Sequence, residues 1–166
     1  MFRRLSRRPG SRSAAPAIEM VGATYEQLVA AAHLTRLNPA FGPEFGYWVN
    51  RGDRVRGELF LVRMRCEYTD ADVLRMLETE SRRRHKEVRP GTAYEQAYFA
   101  THGWNRSDHV VAFGSAFSYR PGLPLYVSVL NSVWDNWSES AEYLLSVCLK
   151  NVQWRDIDYV LCVVDH

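Results

Sequence analysis

The chain has 166 residues, 46% of them hydrophobic and 24% charged. That balance excludes a largely disordered protein and, at roughly 150 residues per domain, fits a single domain. The net charge of +2 is uneven: residues 1–20 hold five arginines against Glu19, a net +4, while the other 146 residues carry 16 basic and 18 acidic groups, a net −2. A basic nucleic-acid-binding body is therefore excluded by bulk charge, and no run approaches the ~18 consecutive apolar residues of a membrane-spanning helix.

The basicity lies in the N-terminal segment MFRRLSRRPGSRSAAPA, with Arg3, Arg4, Arg7, Arg8 and Arg12 and no acidic residue. This is the composition of a mitochondrial transit peptide, in which Pro9-Gly10 limits any amphipathic helix to the first eight residues. The same arginines suit an arm that contacts RNA phosphates or a partner protein, and equally a solvated extension. We expect residues 1–20 to be a basic disordered tail or presequence, and residues 21–166 to form one α+β domain. Cys66, Cys148 and Cys162 are odd in number, widely spaced and set in apolar runs. They read as reduced structural thiols of a reducing compartment, mitochondrial by the tail and otherwise cytoplasmic.

Along the body, Thr24-Tyr25-Glu26-Gln27 is a capping box, and Tyr25, Leu28, Val29 and Ala32 recur at helical spacing, predicting a helix over 24–36 that Asn38-Pro39 stops. Residues 38–53, with two prolines, three glycines and four aromatics, read as a packed loop. Residues 54–68 predict a long strand with Phe60, Val62, Met64 and Cys66 on one face and Leu59 and Leu61 on the other. Thr69 opens a helix whose apolar stripe is Val73, Met76 and Leu77, and whose end carries Arg82, Arg83, Arg84, His85 and Lys86, cations suited to the negative end of a helix dipole.

Arg89-Pro90-Gly91 and Arg120-Pro121-Gly122 both read as turns with glycine at positive φ. The second joins two β-forming runs, 109–119 and 125–133, and predicts a hairpin. Residues 92–104 fit a short helix or a strand. The segment 138–152 begins like a helix, although 143–149 also fits a strand. Tyr159–Val164 is a continuous apolar run and reads as a buried final strand. The expected architecture is an antiparallel sheet with helices on one face, and the order of elements also admits a ferredoxin-like βαββαβ sandwich with an extra N-terminal helix.

Leu59-Phe60-Leu61-Val62-Arg63-Met64, followed by the helix start Thr69-Asp70-Ala71-Asp72-Val73, resembles the first strand and helix of the RNA-recognition motif. That resemblance implies an aromatic exposed on the sheet to stack a base. It covers about 20 residues, and the chain lacks the family's Gly-aromatic-Gly-aromatic strand. His102 and His109 flank a short polar loop and, with Glu139 and Glu142 downstream, are the residues an acid–base enzyme would use. Asp108 precedes His109 on a strand and so points to the opposite face. None of the five histidines lies at metal-ligand spacing, so neither a metal nor a cofactor is expected. Trp134-Asp135-Asn136-Trp137 is the most unusual motif. Tryptophans there can line a pocket, fill a core corner or anchor an interface. Taken together, these features point away from catalysis. They point toward a non-catalytic binding or structural subunit of a larger assembly, with Trp134, Trp137 and the five tail arginines as contacts to a protein partner or RNA.

Overall fold

The computed structural model describes residues 23–34, 36–37, 47–65, 67–106, 108–135, 140–149, 153–154 and 158–165. The elements run α1 (Tyr25–Ala31), β1 (Arg36–Leu37), β2 (Tyr47–Val49), β3 (Gly57–Arg63), α2 (Asp70–Arg84), β4 (Val88–Pro90), α3 (Ala93–His102), β5 (His109–Ser118), β6 (Tyr126–Asp135), β7 (Ser140–Leu149) and β8 (Asp158–Asp165). The class is α+β.

The local signals act as their chemistry requires. The Thr24 hydroxyl accepts from the Gln27 amide at 3.2 Å while Gln27 Oε1 accepts from the Thr24 amide at 2.7 Å. At α2, Asp72 Oδ2 accepts from the Thr69 amide and hydroxyl at 2.8 and 2.7 Å. Helix α1 is shorter than expected: it ends at an Ala32 cap, with His33 at φ 50°, so Asn38-Pro39 is not what stops it. The chain then enters β1, which pairs in parallel with β7. The segment read as a loop over 38–53 contains β2, antiparallel to β5. The expected hairpin is present, with Gly122 at φ 81°. The expected turn at Arg89-Pro90-Gly91 is not. Val88–Pro90 is instead a short strand on β8, and Gly91 is needed because a Cβ there would lie 2.7 Å from the Leu161 side chain.

The sheet is mixed rather than antiparallel. Its order is β1-β7-β6-β5-β8-β3, with β2 on β5 and β4 on β8, and the β5/β8 and β1/β7 pairs are parallel. A split βαβ sandwich would set β3 in the interior. Here β3 ends the order and β8 lies inside it. The ambiguous segments resolve as a helix over 93–102 and a strand over 140–149.

Helices cover both faces of the sheet, which corrects the expectation of one. On one face α1 and α3 pack over Leu59, Val110, Leu130, Leu161 and Val163. On the other, Val73 and Leu77 of α2 pack over Phe60, Val111, Val129, Val160 and Cys162. The reason lies in the strands. Val160–Val163 of β8 are fully buried with no polar alternation, and a strand buried on both faces needs a layer above and below. Helix α3, buried from Ala93 through Ala100, lies between α1 and the sheet. Its polar Gln96 is held there because Nε2 donates to the Val110 carbonyl at 2.7 Å and the Ser128 carbonyl at 3.2 Å. Phe60 is 1% exposed and lies under Arg84, whose guanidinium carbon is 3.7 Å from its ring centre. It therefore presents no face to a base.

Candidate functional site

Strands β5 and β8 run side by side only over His109–Val111 and Asp158–Val160. Beyond that they diverge, β8 pairing with β4 and β5 with β2. The fork is closed at its base by backbone: Gly114 N donates to the Gly91 carbonyl at 2.9 Å, and Gly91 N donates to the Leu161 carbonyl at 2.8 Å. A Cβ on Gly114 would stand 2.5 Å from the Pro90 carbonyl, so the approach requires glycine. Gly114 and Ser115 fall where the β5/β6 register slips between Ala112 and Phe117, a bulge that takes them out of the ladder and turns them to the fork.

The N terminus of α3 also reaches this fork, with its first-turn donors already satisfied. Ala93 N donates to Ser115 Oγ at 2.7 Å, Tyr94 N to the Arg51 carbonyl at 3.0 Å and Glu95 N to Thr92 Oγ1 at 3.3 Å. Thr92 and Glu95 form a capping box. The 50–56 connection is pinned over it, since Ser115 Oγ donates to the Asn50 carbonyl at 2.6 Å and Asn50 Nδ2 donates to the Gly114 carbonyl at 2.8 Å.

These elements enclose a cleft of about 370 Å³. Its floor is an ionic clasp. Arg89 Nη1 and Nη2 donate to Glu95 Oε2 and Oε1 at 2.9 and 2.7 Å, and Arg89 Nε lies 3.0 Å from both oxygens of Asp165. Glu95 is 1% exposed and accepts further bonds from the Thr92 amide and hydroxyl at 2.8 and 3.0 Å. The bonds it donates to Glu95, then those to Asp165, raise the Arg89 pKa above its already high value, so its charge is permanent. Asn50, Arg54 and Arg56 stand around the clasp.

The residues singled out from sequence lie elsewhere. His102 stacks on Tyr98 with ring centres 4.3 Å apart, its Nδ1 3.1 Å from the Tyr98 carbonyl. His109 Nδ1 lies 3.7 Å from Asp158 Oδ1 of β8, so its acidic neighbour comes from across the sheet. Neither histidine lines the cleft. Glu142 is on β7 opposite Val133, and Trp134 on β6 opposite Ala141; their side chains fall outside the described parts. Glu139, Trp137 and the tail residues Arg3, Arg4, Arg7, Arg8 and Arg12 lie outside the described residues altogether. Trp104 and Trp154 are buried in the two cores, and Trp48 packs against the first. Among the described residues no His, Cys, Asp or Glu cluster suits a metal, and no helix is long and apolar enough to cross a membrane. Sequence reasoning missed Arg89, Glu95 and Asp165. The Thr92-x-x-Glu95 capping-box spacing is the signal that could have found Glu95.

A second feature is the tip of the β5–β6 hairpin. Tyr119, Leu123 and Leu125 are 38%, 47% and 40% exposed. They are backed by an edge-to-face aromatic series, Trp48–Phe117 at 5.3 Å, Phe117–Tyr119 at 5.1 Å and Tyr119–Tyr126 at 5.3 Å. No protein-family model matches this chain, and neither does any curated protein or solved structure.

Proposed function

We propose that the protein is a non-catalytic binding component of a larger assembly, attached to a partner protein through the tip of the β5–β6 hairpin. The observation that carries this reading is the exposure of Tyr119, Leu123 and Leu125 within seven residues on a tip backed by packed aromatic rings. A preorganised apolar surface of this kind loses little side-chain entropy on docking, and tyrosine is favoured at interface centres. The cleft adds support, because its buried carboxylate is consumed by Arg89 and Thr92 and the Ser115 hydroxyl by the Asn50 carbonyl.

The test is the native mass of the tagged full chain in its own cells. The expected result is a complex well above single-chain mass. It collapses to the single chain when Tyr119, Leu123 and Leu125 are all replaced by Ser, with the melting temperature of the isolated protein unchanged. A wild-type chain that runs alone at native concentration overturns the reading. Collapse on ribonuclease treatment, with the triple variant behaving as wild type, replaces it with the RNA-binding reading through the tail arginines.

A further inference from the structure

We propose that the cleft in the fork between β5 and β8 binds a small organic oxyanion, a phosphate ester or a polycarboxylate, through Arg54 and Arg56 on its rim. This is independent of the hairpin tip. The location is the first argument. Where two neighbouring parallel strands separate at their carboxyl ends, the backbone leaves a crevice that no side chain of the sheet fills, and ligands in α/β sheets use such crevices. Here β5 and β8 separate after Val111 and Val160, and the positive end of α3 faces the opening.

The state of the donors is the second argument. All the first-turn amides of α3 are spent, and the Arg89 fork is spent on Glu95 and Asp165. The floor is therefore a fixed, internally satisfied surface. On the rim, Arg54 makes no ion pair among the described residues, and Arg56 has only Asp53 at 3.5 Å, with both side chains more than half exposed. Such a pair is weak and exchanges readily for a better acceptor. Three guanidinium groups line the cleft against two carboxylates, and both carboxylates are already bonded to Arg89. With Asp53 beside Arg56 counted, three carboxylates balance the three guanidinium groups; the cation left for a ligand is Arg54, and guanidinium favours oxyanions that can take two parallel N–H bonds.

Size and rigidity complete the case. About 370 Å³ falls within the ~300–1,000 Å³ of small-molecule sites and leaves space for an organic body beyond one oxyanion. The rim connection is tied to β5 and α3 through Asn50, Arg51 and Ser115, so little ordering is left for the ligand to impose.

Residue-resolved NMR titration of the full chain tests this with glucose 6-phosphate, citrate and, as the uncharged control, glucose. We expect saturable shifts at the amides of Asn50, Gly52 and Gly114 and at Arg54 Nε with one of the two anions, and none with glucose. Glucose 6-phosphate as the tighter ligand assigns a phosphate ester, and citrate a polycarboxylate. Arg54→Gln and Arg56→Gln, both solvent-facing changes that leave the core untouched, should each weaken binding roughly tenfold. Shifts confined to the tail arginines, no saturable shifts with either anion, or affinity unchanged in both variants overturns the proposal.

Discussion

Arg89 and Glu95 face each other through two parallel hydrogen bonds of 2.9 and 2.7 Å, with the carboxylate 1% exposed and the guanidinium reaching on to Asp165. These three side chains thus fasten β4, the start of α3 and the end of β8. Removing one partner strands a buried charge, whereas removing both does not. Arg89→Ala should destabilise the protein by roughly 3–5 kcal/mol. The double change Arg89→Met with Glu95→Leu should recover part of that loss in urea unfolding, the remainder being the Thr92 donors that also lose Glu95. A double variant no more stable than Arg89→Ala would show that the pair does not couple.

Asp72 gives the pH dependence. The bond from Thr69, then that from Arg75, holds its carboxyl down at about 2, against an ordinary value of 3.8. A carboxylate with a depressed folded-state pKa stabilises the fold above its unfolded value and loses that contribution as pH falls toward the folded one. Helix α2 should therefore lose stability between about pH 4 and pH 2. In Asp72→Asn that part of the pH slope should be absent. The carboxyl carbon shift of Asp72, followed by NMR, should have its midpoint near 2; a midpoint near 3.8 would refute the arrangement.

The two glycines at the hairpin and the fork should answer differently to substitution. Gly114→Ala drives a Cβ to 2.5 Å from the Pro90 carbonyl, and the cost should be roughly 1–3 kcal/mol, as for other overpacked sites. Gly122 has nothing within 4 Å of its missing Cβ and needs only its φ of 81°. Asn tolerates that conformation, so Gly122→Asn should melt close to wild type. Equal melting shifts for the two variants would contradict the fork geometry.

Gln96 bridges β5 and β6 from inside the core, and its side-chain oxygen is met by the Ser128 hydroxyl. Gln96→Leu keeps most of the volume but leaves the Val110 and Ser128 carbonyls without that donor. It should cost roughly 1–3 kcal/mol and speed amide exchange in α3 ahead of α2. Exchange rates unchanged in α3 would mean that the bridge does not secure the helix.

The arginine-rich segment is testable by intact-mass analysis of the native protein. Mitochondrial import should produce a mature start within residues 14–20, and a native chain that keeps Met1 would refute that route.

The chain's own pattern was sufficient wherever neighbours along it set the outcome. The capping box at Thr24, the helix start at Thr69, the stripe Val73–Leu77 and the turn at Gly122 depend on contacts three or four residues apart, and each is found where the spacing placed it. The apolar run 159–164 also marked a buried strand. Beyond the β5–β6 hairpin, the pattern could not supply the partner of each strand. β8 lies beside β5 and β3, not at the edge of a split βαβ, because its two apolar faces each need a helical layer, and α2 and α3 come from far away in sequence to supply them. The segment 93–102 is buried through Ala100 with Glu95 and Gln96 included, so its polar residues mark no outer face and the periodicity that separates helix from strand is absent. The cleft was hidden for the same reason. Arg89, Glu95 and Asp165 carry no shared spacing, and only the divergence of β5 from β8 gathers them around one space.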